Sequence, residues 1–103
     1  MDKGQQDWEL AGFLDRFDLW VDQDSPAEGI RLGVLRWILG LYDDPYRGAK
    51  RVPDFPDPNF WEARIPASRD GAGNIVVCSY WIYEATRTVA CDLFGTFWEE
   101  TLE

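Results

Sequence analysis

Apolar residues recur every three or four positions in the first part of this chain and every second position in the last, so a helical half precedes a stranded half. In "WELAGFLDRFDLWVDQ" the residues Leu10, Phe13, Leu14, Phe17, Trp20 and Val21 fall along one stripe, which predicts a helix from about residue 12. Trp8 to Ala11, just before it, suit either a short strand or an earlier helix start. "SPAEG" then predicts a second helix, with Ser25 as cap, Pro26 in the first turn and Glu28 three residues after the cap. Its buried side is expected to carry Ile30, Val34, Trp37, Ile38 and Leu41, while Gly33 and Gly40 weaken it and leave room for another element to approach.

Four prolines in "DDPYRGAKRVPDFPDPNF" end that helix and make an irregular connection. Three strands are expected next, "FWEARIP", "NIVVCSYWIY" and "TRTVACDLFGTF", with "RDGAGN" and "EATR" as their loops. With "EATR" as a tight loop, Tyr83 pairs with Thr88, Cys78 falls opposite Leu93 and Cys91 opposite Tyr80. Strict alternation then puts Val76, Cys78, Tyr80, Ile82, Val89, Cys91 and Leu93 against the helices. The outer face shows Val77, Ser79, Trp81, Tyr83, Thr88, Ala90, Asp92 and Phe94, beside Glu62 and Arg64. The predicted class is α+β: one domain, with a helical hairpin over 12–42 on one face of a small antiparallel sheet over 60–97, residues 1–6 flexible and 98–103 a tail.

Composition narrows the chemistry. With 103 residues there is room for one core, and 46% apolar residues including six Trp can fill it without a metal or a disulfide. Cys78 and Cys91 fit no zinc or redox spacing, and their diagonal placement on one face disfavours a bridge, so both read as small buried hydrophobes. The absence of histidine excludes Ser-His-Asp and Cys-His nucleophile systems and imidazole zinc sites. No cofactor is implied. A net charge of -9 opposes broad binding to phosphate or anionic lipid, and the acidic start of the chain suits a basic partner. "MDKGQQDW" is unlike a secretion signal and "LGVLRWILGLY" is too short to span a bilayer, so a cytoplasmic protein is expected.

The order of helical hairpin, basic loop and antiparallel strands resembles the RelE/ParE superfamily, the toxins of bacterial toxin-antitoxin pairs. The similarity rests on "LRWILGLYDDPYRGAKRV", "FWEARIP" and "VVCSYWIYEATRTVACDLF". It implies a metal-independent endoribonuclease whose concave sheet face holds messenger RNA phosphates on Arg and Lys, with a Tyr, His or Arg near the last strand assisting proton transfer. Carried onto this chain, the resemblance points to Arg64, Tyr80 and Tyr83 as catalytic candidates. Glu62, Ser79, Trp81, Asp92 and Phe94, with Arg47, Lys50 and Arg51 of "YRGAKR", become candidates for holding RNA or a partner. The chain departs from the pattern at Glu62, at Val77 where a phosphate-binding Arg is expected, and at Trp98, Glu99 and Glu100 where cleaving relatives tend to be basic.

Cleavage within RNA needs a base for the 2'-hydroxyl, an acid for the leaving oxygen and cations for the developing charge. Arg64 can stabilise charge, Glu62 or Asp92 can serve as base, and Tyr80 or Tyr83 can move a proton where its pKa is shifted. Two expectations follow. One is a toxin-like component neutralised by an antitoxin-like peptide across the Trp81 and Tyr83 face. The other is a non-catalytic acidic module that occupies a basic protein.

Overall fold

The computed structural model describes residues 7–102; the expectation of a flexible start over 1–6 lies outside the described residues. Strand β1 (Glu9–Ala11) leads into helices α1 (Phe13–Asp24) and α2 (Glu28–Gly40), followed by β2 (Ala49–Arg51), β3 (Phe60–Ile65), β4 (Asn74–Tyr83) and β5 (Thr88–Trp98). A short 3₁₀ turn, Pro66–Ser68, follows β3, and another, Glu99–Thr101, follows β5. The five strands lie in the order β1-β5-β4-β3-β2. All neighbours are antiparallel except β1, which runs parallel to β5 with Glu9 beside Thr88 and Ala11 beside Ala90. The architecture is therefore α+β, two helices against a mostly antiparallel sheet, and the open question over residues 8–11 resolves as a strand.

The periodicity of the sequence explains the packing. Phe13, Phe17 and Trp20 of α1 and Val34 and Ile38 of α2 are buried with Val76, Cys78, Tyr80 and Ile82 of β4. Aromatic edges join the layers, Phe13 and Trp37 each meeting the Tyr80 ring at 6.2 and 5.8 Å between centroids. Each fully buried aliphatic side chain contributes about 1.5–3 kcal/mol. Leu14, expected in the stripe, is exposed, because the apolar face of α1 is narrower than the apolar run in the sequence.

The helix junction departs from expectation. Ser25 is not the cap of α2; it closes α1 in a left-handed conformation (φ 45), its N–H donating to Val21 O at 2.9 Å. Helix α2 begins at Glu28 after extended Ala27, with no side-chain cap. The turn between the helices is so short that one residue must end the first before another can start the second.

A second departure decides the face of the last strand. Pairing follows alternation from Tyr83 opposite Thr88 to Tyr80 opposite Cys91, and then Ser79 faces Leu93, which leaves Asp92 as an extra residue. This β-bulge reverses every later position. Phe94 therefore sits opposite Cys78 in the core, 7% exposed, while Leu93 is outside, 48% exposed. Cys78 and Cys91 are buried and free, with 3.9 Å between their sulfurs. Among the described residues no helix is long and apolar enough to cross a membrane.

Candidate site on the outer face of the sheet

The face of the sheet turned away from the helices is closed at both ends and open in the middle. At one end Phe60 and Trp81 pair across β3 and β4, and Phe55 from the proline-rich loop stacks on Phe60 with centroids 4.2 Å apart. Trp81 meets Phe60 at 5.0 Å and is half-buried, so the loop has already taken part of the aromatic platform. At the other end Ile75 and Val77 are buried although they face outward, and the chain after β5 turns back there onto Gly73. Glu99 N–H donates to Gly73 O at 2.7 Å, and Leu102 comes to lie against the same hollow as Val77.

Between the two covers is a hollow of about 420 Å³, lined by Gly48, Lys50, Arg51, Pro53, Glu62, Arg64, Val77 and Leu102. Strand register places these side chains: Lys50 is beside Glu62, Glu62 beside Ser79, and Arg64 beside Val77. Two cations and one carboxylate thus face an apolar floor. Lys50 makes no ion pair among the described residues. Arg51 also lines the hollow, but its guanidinium lies over the Trp61 ring at 5.5 Å, in the row that Trp61 shares with Tyr80.

The remaining candidates scatter. Tyr80 is wholly buried, its phenol donating to Pro45 O at 3.0 Å, and burial, reinforced by the nearby Cys78 and Asp44, pushes its pKa well up. It ties the connecting loop to the core and does not reach the outer face. Tyr83 is six positions along β4 from Val77, about 20 Å at ~3.3 Å per residue. It cannot act on an atom held by Arg64. Ser79 and Asp92 do meet, the hydroxyl donating to Oδ2 at 2.8 Å, which fixes the bulge. Arg47 stands by Asp44, Arg36 and Trp37 in a separate small cleft. Phe94, expected outside, is core for the reason given above.

Sequence reasoning missed the elements that give this site its shape. Arg69, in the loop before β4, grips Glu99 with Nε to Oε1 at 3.0 Å and Nη2 to Oε2 at 2.9 Å. That pairing holds the Glu99 carboxyl below the usual range, and Arg64 adds to the depression. The signal available in the sequence was the run of Glu99 and Glu100 in a tail next to a sheet face bearing arginine. Among the described residues no group of His, Cys, Asp and Glu could hold a metal ion.

No family model matches the chain, no curated protein matches it, and no solved structure matches it.

Proposed function

We propose that the protein is a toxin-like component of a toxin-antitoxin pair, similar to RelE/ParE proteins, and that the outer face of its sheet is the surface its partner covers. One observation carries this reading: in a chain of net charge -9, Lys50 and Arg64 stand together in an open hollow on the sheet face opposite the helices. The helical hairpin, the irregular basic loop and the antiparallel strands that follow support it. Any residual RNA-directed chemistry belongs to this hollow, with Glu62 as base and Arg64 and Lys50 stabilising the developing charge.

A second reading has its own support. Tyr80 is sealed and Tyr83 is about 20 Å from the Arg64 row, so no phenol is available to move a proton there. This favours a non-catalytic module that kept a binding face. Inducible expression in a bacterial host separates the two. The toxin-like reading expects growth arrest that Arg64→Ala relieves. The binding module expects no arrest and no effect of Arg64→Ala on growth, with Trp81→Ala abolishing capture of the partner.

A further inference from the structure

The chain's last described residues are built onto the outer face by specific contacts. The Trp98 ring covers Gly73 so closely that a Cβ there would lie 2.6 Å from it. Glu99 is held twice, by its N–H on Gly73 O and by its carboxylate on Arg69. Thr101 Oγ1 donates to Trp98 O at 2.7 Å, which tightens the turn and carries Leu102 over to the hollow. The result is an acid on a guanidinium and, three residues later, a leucine on the wall of the hollow that Val77 also lines.

We infer that the hollow is a docking site for an acidic peptide segment of the form Glu-x-x-Leu, and that the chain's own tail is its resident occupant. The inference rests on the reading of the outer face as a partner surface and names the chemistry of that partner. Charge complementarity selects the ligand: Arg64 and Lys50 line the hollow, Arg69 and Arg64 both act on the Glu99 carboxylate, and Lys50 makes no ion pair among the described residues. The apolar floor at Val77 selects further, since a nucleic acid backbone would use the cations and leave that surface bare. The tail is displaceable because its anchoring pair, although two-pronged, is solvent-exposed on both sides, 54% and 30%, so water and a competing carboxylate reach Arg69 directly. Tethering keeps the tail in place through high effective concentration, so a partner in trans must offer further contacts or meet a loosened tail.

The test uses the full chain and a labelled peptide, Phe-Trp-Glu-Glu-Thr-Leu, copied from residues 97–102. By fluorescence anisotropy, Glu99→Gln with Leu102→Ala should bind this peptide at least ten-fold tighter than the unsubstituted chain, and adding Arg69→Gln should cancel the gain. Glu99→Gln alone, which keeps every apolar contact, should move in the same direction. Excess peptide should also speed hydrogen exchange at the Glu99 amide of the unsubstituted chain. The inference is overturned by no gain on loosening the tail, by a gain that survives Arg69→Gln, or by a short single-stranded RNA binding the loosened chain more tightly than the peptide. Peptide binding without growth arrest removes the toxin reading and leaves the docking site. Arrest relieved by Arg64→Ala without peptide binding does the reverse.

Discussion

A single residue, Asp92, decides which aromatic belongs to the core. Without it, alternation from Cys91 would bury Leu93 and expose Phe94; with it, the order is inverted and Ser79 pins the extra residue by a hydrogen bond. The Phe94 ring then meets Phe13, Phe17, Trp20 and Trp37 at centroid distances of 6.2–6.4 Å. Removing it leaves a cavity among four aromatic neighbours, so Phe94→Ala should lower stability by about 3–5 kcal/mol. Leu93→Ala, half in solvent, should change it by no more than ~0.5 kcal/mol. Urea unfolding of the two variants checks the assignment, and equal losses would mean that the bulge is absent.

At the level of elements, two glycines of α2, Gly33 in its middle and Gly40 at its last position, look alike in composition and differ in space. A Cβ on Gly33 would lie 2.8 Å from Ala67 O and 3.1 Å from Ala67 Cβ, because α2 rests directly on the Pro66–Ser68 turn. Gly40 has nothing within 4 Å. Helix propensity favours alanine at both by up to roughly 1 kcal/mol. At Gly33 a backbone oxygen must give way, which costs more, so Gly33→Ala should destabilise by about 1–3 kcal/mol while Gly40→Ala stabilises slightly. Thermal melts of both variants measure the sign at each position. The same contrast marks what could be read in advance. Periodicity placed both helices, the last three strands and the dry side of β4, because those follow from local apolar spacing. The bulge, the parallel joining of β1, the role of Ser25 and the return of the tail depend on contacts between distant segments, for which the sequence has no periodic signal. For the site, Glu62 and Arg64 were legible from strand alternation and Lys50 from its basic cluster, whereas the strand that carries Lys50, and Arg69, Glu99 and Leu102, required the path of the chain.

Across the whole molecule, the carboxylates whose proton affinity the fold lowers lie by the start of β4 and the phenols whose affinity it raises lie toward its other end, Tyr80 being six residues, about 20 Å, along the strand from Asn74. Before its start, Asp70 accepts from the Asn74 side chain and from the Asn74 and Ala72 amides, which lower its pKa, and Glu99 is lowered by Arg69. Toward its other end, partial burial and then the 2.5 Å hydrogen bond to Glu84 push the Tyr46 phenol up to about 12, and burial raises Tyr80 within the strand. For the carboxylates the folded chain binds protons less readily than the unfolded one, so their contribution is present above the ordinary range near pH ~4 and is lost as pH falls through the lower folded values. The phenols bind protons more readily when folded, so stability is full below pH ~10 and declines as the unfolded phenols ionise first, by at most about 1.4 kcal/mol per pH unit for Tyr80. Acid should therefore loosen the Asp70 loop and the tail over the hollow, and alkali should loosen the Tyr46 and Pro45 loop at the far end. Hydrogen exchange, corrected for intrinsic rates, reads this directly: at pH 3 the Ala72, Asn74 and Glu99 amides should lose protection ahead of Arg47 and Ala49, with Tyr80→Phe flattening the decline in melting temperature above pH 10. Uniform loss of protection at pH 3 would mean that the tail is not separately held, and the cover over the hollow would then open only when the sheet itself unfolds.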